Sequence, residues 1–388
     1  MERVKFKDIL QIKHGYAFKG EFFTDEDTGQ LILTPGNFTL KGGFQETKKF
    51  TTEKDFPSEF VLKSGDLIVT MTDLSKAIDT IGFSALVPNN ADRKYLHNQR
   101  IGLVKVLNPE FDKDYVYWVM RTGEYQRTIA NTSNGATVHH TSPDRIYKYW
   151  CRKFPLSAQR KIASILSVYD SLIENNTKRI RLLEQMAENL YKEWFVRFRF
   201  PGHENTEFVD GLPKGWIIEK VSSIVKRLPF NRTYKKHELQ DDGKVIVIDQ
   251  STDAYLGFHN DEPSHLADYS SPLIIFGDHS CKFQLMTMNF SLGENVIPFT
   301  SNKNITNEYW LFYATHKLIQ TEEYKRHWGR FSSMKVILPH LRIQNLFAEI
   351  VEKFEREKNS LLSISKILAK QRDALLPRLM SGKLEVKA

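Results

Sequence analysis

Only two cysteines, Cys151 and Cys281, occur among 388 residues, so neither a disulfide framework nor a four-thiolate zinc site can be assembled. Both are expected to be inert buried thiols. No apolar run approaches the ~18 residues that cross a bilayer, and the opening Met1-Glu2-Arg3-Val4-Lys5 lacks the hydrophobic stretch of a secretory signal. A cytoplasmic protein is expected. The phosphate-cradling Gly-x-x-x-x-Gly-Lys-Ser/Thr is missing, which argues against a P-loop ATPase. Asn108-Pro109-Glu110 lacks the second proline and the aromatic of a target-amine site for methyl transfer to DNA, and the thirty or so residues after Pro143-Asp144 offer no Glu-x-Lys to complete a nuclease metal site. His139 and His140 are adjacent, so on a strand they face opposite ways and cannot readily chelate one ion. His279 and His327 have no nearby nucleophile to activate, and a structural or ligand-contacting role is expected for them.

Charge is ample and unbalanced: 55 Lys plus Arg against 47 Asp plus Glu leave +8, with a sequence pI near 9.1. Cations interleaved with aromatics suit a polyanion, because each neutralised phosphate releases counterions. Composition is otherwise ordinary for a globular chain, and the length implies two or three domains.

Two segments have the heptad pattern of a coiled coil. The first starts after Phe154-Pro155-Leu156, with Ser157 as N-cap, and runs to about Phe195. Ile162, Tyr169, Asn176, Leu183 and Leu190 occupy one register, with Ile165, Leu172 and Met186 on the other. The second starts after Leu338-Pro339, with Phe347, Phe354, Leu361, Leu368 and Leu375 on one register and Ile343, Ile350 and Ile364 on the other; it weakens at Pro377 and ends by Gly382. A single offset of 185 superposes the two, carrying Gln159 onto Gln344 and Ile162 onto Phe347. A domain-plus-helix unit therefore occurs twice. The expected organisation is a first domain over 1–153, a central helix over 154–200, a second domain over 201–338 and a C-terminal helix over 339–388. The globular parts show short β-like runs, such as 66–70, 101–106, 245–248 and 272–276, separated by turn residues, and little mutual identity. The fold class is mixed α/β (α+β), with two domains and two long helices packed antiparallel in a pseudo-twofold repeat. A helix of about 40 residues would span roughly 60 Å.

Polar and basic loops are the candidate recognition residues, because loops on a rigid scaffold usually carry them. In the first domain these are Lys13, His14, Tyr16 and Lys19, and then Asn134, Thr137, His139 and His140. In the second they are Arg227, Asn231, Arg232, Tyr234, Lys235 and Lys236, followed by Arg326 and Arg330. Arginine suits guanine, asparagine suits adenine and lysine suits phosphate.

Two dissimilar domains alternating with two repeated helices resemble the specificity subunit of type I restriction-modification systems. The residues that carry the likeness are Leu156-Ser157-Ala158-Gln159-Arg160-Lys161-Ile162-Ala163, Gln344 through Ile350, and Gln371 through Gly382, most specifically Leu379-Met380-Ser381-Gly382-Lys383-Leu384. Ser64-Gly65-Asp66-Leu67-Ile68, Asn98-Gln99-Arg100-Ile101-Gly102 and Leu212-Pro213-Lys214-Gly215-Trp216 are similar to phrases in the family's target-recognition domains. The resemblance implies a non-catalytic, DNA-recognising subunit. Each domain would read half of a split double-stranded site, and the helical pair would set their separation and dock two methylation subunits. Restriction subunits would join the full complex, with S-adenosylmethionine, ATP and magnesium held by partners and no metal or cofactor in this chain. The alternatives are a stand-alone DNA-modifying enzyme and a coiled-coil scaffold that does not read sequence.

Overall fold

The computed structural model describes residues 2–73, 75, 78–135, 138–251, 253–302, 304–320 and 325–386. The chain divides into two compact units, one of Met1–Glu174 with Ser365–Ala388 and one of Asn175–Ile364. The division runs through the long helices, so each unit holds a globular domain together with part of both.

In the first unit an antiparallel four-stranded sheet has the order Leu10–His14, Ile101–Val106, Leu67–Thr70, Ser84–Leu86. A second sheet contains the parallel pair Gln30–Leu33 and Lys94–His97. The helix Lys113–Val119 begins where the Asp112 carboxylate accepts the backbone N–H groups of Asp114 and Tyr115 at 3.0 and 3.1 Å, satisfying two donors that the first turn cannot. Trp118, Tyr115 and Phe6 pack there with Ile162, Leu166, Leu376 and Leu379 of the long helices. Cys151 joins this core, where burial pushes its thiol up to about 12.

The second unit repeats the plan. Its antiparallel sheet has the order Val225–Arg227, Val296–Ser301, Leu273–Gly277, Phe283–Met286, and a neighbouring sheet holds the parallel pair Val245–Ile248 and Phe290–Leu292. Asn307 caps the helix Glu308–Thr315 through the N–H of Tyr309. The two globular parts thus share topology as well as flanking helices, although their sequences show little likeness.

One glutamine fastens each domain to its helix. Gln159 is fully buried; its Oε1 accepts the Asp112 N–H at 2.9 Å, and its Nε2 donates to the carbonyls of Glu110 and Phe154, both at 2.8 Å. In the other unit Gln344 is fully buried too, accepting from Asn307 N–H at 2.9 Å and donating to the carbonyls of Ile305 and Pro339 at 3.1 and 2.8 Å. Each lies just before an inward-facing apolar residue, Ile162 or Phe347.

The long helices are Leu156–Tyr191, continued by a π turn over Lys192–Val196, and Leu341–Met380, which contains Pro377. Within the first unit Arg372 donates to Asp170 and Arg152 to the Ser381 carbonyl; within the second, Lys358 approaches Glu184 and Phe347 meets Tyr191. Both sets of contacts are antiparallel. The expected registers are half corrected. Ile162, Asn176, Phe347 and Leu361 are buried, and Tyr169, Leu183, Leu190, Phe354, Leu368 and Leu375 are partly so. The second register lies one residue further on than expected: Leu166, Ile173, Ile180 and Ala187 turn inward, whereas Leu172 and Met186 are exposed. On the other helix Val351, Lys358, Ser365, Arg372 and Leu379 form this column, and Ile364 is exposed. Polar members disguise the column in the sequence, because lysine and arginine stems can pack while their charged ends find carboxylates.

Candidate nucleic-acid interface

The chain direction brings the candidate loops of the first domain to one end of the four-stranded sheet. Strand Leu10–His14 ends there, Ile101–Val106 begins there, and Leu67–Thr70 leaves into the short strand Thr72–Asp73, which pairs with His139–His140. Backbone bonds connect these pieces: Gln99 N–H donates to the Tyr16 carbonyl at 3.0 Å, Met71 N–H to Arg100 at 3.1 Å, and Thr141 N–H to Met71 at 2.9 Å. The turn Asn98-Gln99-Arg100 consequently separates the two candidate loops, with Gln99 and Arg100 exposed. Neither was among the expected contact residues; the signal available was a polar turn between two apolar strands.

Individual candidates differ in freedom. Lys13 is tied to Glu59 at 2.8 Å and lies 4.9 Å from the Phe60 ring centre. Tyr16 is half-buried against Phe18 and Phe60, whereas His14 and Lys19 are exposed. Gly15 permits this approach, since a Cβ there would stand 2.3 Å from the Asn98 carbonyl oxygen. Asn134 exchanges backbone hydrogen bonds with His140, whose Nδ1 is 3.2 Å from Thr72 Oγ1. His139 is half-buried and His140 exposed, as neighbours on a strand must diverge. Thr137 lies outside the described residues. Beneath this hairpin Asp73 is buried and accepts N–H bonds from Ser75, Thr80 and Ile81 at 2.7, 2.7 and 3.0 Å. Burial raises its carboxyl, yet the bonds from Ser75 and Thr80 outweigh that and hold it below the usual range.

In the second domain Arg227, exposed at the end of its strand, lies 5.5 Å from the Phe230 ring centre and 5.2 Å from that of Trp328. It thereby joins the 227–236 segment to the 326–330 segment. Asp278 anchors the latter, accepting the N–H of His327 at 3.1 Å and of Trp328 at 2.9 Å, with Arg326 at 3.9 Å. Asn231 donates to the Ser264 carbonyl at 2.7 Å. Lys235, Lys236, Arg326 and Arg330 are exposed, and Tyr234 is buried. Among the described residues no group of three or more His, Cys, Asp or Glu could hold a metal ion, and no helix is long and apolar enough to cross a membrane.

Two domains of one topology, each fastened to a long helix and each offering a basic, aromatic loop cluster, define a duplicated two-domain protein on a helical frame. The chain belongs to the type I restriction modification DNA specificity domain family, which it matches over residues 1–185 and 213–369. Its curated relatives include two proteins of Methanocaldococcus jannaschii. The type I restriction enzyme MjaIX specificity subunit is 24% identical over 71% of this chain and 69% of its own length. The putative MjaX specificity subunit is 23% identical over 60% and 59%. The solved type I restriction-modification S subunit from M. genitalium shares the fold, with a TM-score of 0.59 at 16% identity over 97% of this chain and 95% of that one.

Proposed function

We propose that the chain is the non-catalytic DNA-reading subunit of a type I restriction-modification complex, each domain recognising one half of a split double-stranded site. The observation that carries this reading is the duplicated fastening: Gln159 and Gln344 each make three equivalent backbone bonds, one to the lead-in of the helix and two to domains of the same topology. Identical attachment with divergent loops is what two independent readers on one frame require. Two methylation subunits dock on the long helices, where Val168 and Leu172 of one unit and Leu182 and Met186 of the other stand exposed in pairs one turn apart. S-adenosylmethionine, ATP and magnesium reside on the methylation and restriction partners, and the assembly works in the cytoplasm.

The test exchanges residues 1–153 for the corresponding domain of another family member and maps methylated sites in cells that also express the methylation subunit. One half of the site should change and the other persist. If both halves change, or neither does, the reading fails. Label transfer from S-adenosylmethionine to DNA by the purified chain alone would favour the stand-alone enzyme instead.

A further inference from the structure

Arg232 stands on a loop fixed from several sides. Tyr234 N–H donates to the Leu292 carbonyl at 2.9 Å. Glu238 accepts the Lys235 N–H at 2.7 Å and an Arg232 Nη2 bond at 3.0 Å, while Arg232 Nη1 lies 3.5 Å from Asp261. The guanidinium carbon sits 4.3 Å from the Tyr234 ring centre, and that ring stacks on His259 at 4.2 Å and 11°. His259 is steadied in turn by Ser291 Oγ at 2.9 Å. Tyr234 and His259 are buried, whereas the Arg232 side chain is 58% exposed, so the arginine is the open end of a stack with a buried foot.

We propose that Arg232 reads a guanine in the half-site recognised by the second domain, donating to O6 and N7 at the major-groove edge. This inference rests on the DNA-reading function proposed above. Guanine offers two adjacent acceptors there, and a planar guanidinium meets them with two N–H donors already set in a fixed fork. Only two of the five N–H donors of Arg232 are directed at Glu238 and Asp261. The brace and the aromatic platform fix the side chain before DNA arrives, reducing the entropy lost on binding. Of the four other stacked arginines, Arg227 is exposed but, among the described residues, has no carboxylate to brace it, and three are committed elsewhere. Arg121 is buried; Arg93 is held by Asp27 and Glu46; Arg356 directs both Nε and Nη2 at Glu352. Lys235 and Lys236, exposed beside Arg232, suit phosphate contacts.

The test uses the full chain in complex with its methylation subunits and duplexes carrying 7-deazaguanine, which lacks N7, at each guanine of the second half-site. The parent complex should lose about 10-fold in affinity at one guanine, and Arg232→Ala should show no loss from that same replacement. Arg232→Lys, which keeps the charge facing Glu238 and Asp261, should fold and bind yet discriminate less sharply against adenine at that position. Glu238→Gln should weaken discrimination at the same base pair alone. A second half-site without guanine overturns the proposal, as does an Arg232→Ala complex weakened equally on every sequence. A parent with sequence preference that Arg232→Ala leaves intact overturns this assignment alone, and a parent with no preference overturns the DNA-reading function with it.

Discussion

Arg121 and Asp170 form an ion pair that ties the first domain to the first long helix, with the arginine side chain 2% exposed. The Arg121 guanidinium also reaches the Lys41 carbonyl and the Tyr117 hydroxyl and lies 4.3 Å from the Trp118 ring centre. Asp170 accepts from Arg372 as well, a half-buried guanidinium that also bonds Asp373 through Nε and Nη2. Removing Asp170 leaves the buried Arg121 without a carboxylate. Asp170→Ala should destabilise the chain by about 3 kcal/mol, measured by denaturant unfolding. A loss within that of an ordinary surface substitution would show that water already screens the pair.

Gln344→Leu removes one acceptor and two donors from a buried site, leaving the Asn307 N–H and two carbonyls unpaired. The expected loss is about 2–3 kcal/mol, and Gln159→Leu should lose a similar amount. Hydrogen exchange should quicken at Glu308–Thr315 in the first variant and at Lys113–Val119 in the second. Unfolding measurements in which the two variants behave unlike each other would break the equivalence of the two fastenings.

The exposed apolar pairs on the long helices should tolerate charge in the free chain. Leu172→Glu and Met186→Glu are expected to change stability by no more than about 0.5 kcal/mol while abolishing co-purification with methylation subunits. Leu166→Glu, on the inward column, should instead prevent folding. Retained co-purification of the double variant would move the docking surface elsewhere.

Acid should weaken the fold through buried histidines. Burial holds the imidazoles of His97 and His265 below their ordinary value, although each also bonds a backbone carbonyl. The unfolded chain takes up protons near pH 6.5 while the folded chain resists, so their stabilisation is complete above that pH and is lost as pH falls toward the folded value. Between pH 7.5 and 5.5 each should contribute up to about 1 kcal/mol of the decline. His97→Asn should decline less steeply than the parent; an equal slope would place the proton uptake on other groups.

The repeated helices were legible because Gln159, Ile162 and their counterparts recur at one offset, and a sequence repeat is independent of what it packs against. The seam was only half legible. Leu172, Met186 and Ile364 have the chemistry of inward residues but face outward, while Lys358, Ser365 and Arg372 occupy inner positions. Periodicity ranks residues by apolarity, and a charged stem with a carboxylate waiting is invisible to it. The shared domain topology was hidden because a sheet order depends on pairings between distant strands, which survive wide changes in side chains. Gln99 and Arg100 escaped notice for a related reason: their neighbourhood is made by backbone bonds to Tyr16 and Met71, far away in sequence.

The two buried glutamines have a consequence for inheritance. Every group they hold in the domains is main chain, an N–H and a carbonyl at Asp112 and Glu110 in one, and at Asn307 and Ile305 in the other. Main-chain groups are common to all residues other than proline, so the attachment demands a loop of a certain path and almost nothing of its sequence. A globular domain can therefore drift, or be exchanged whole, without losing its grip on the helix. On the function proposed above, new specificities become accessible to a lineage by exchange of whole modules rather than by slow repair of a joint.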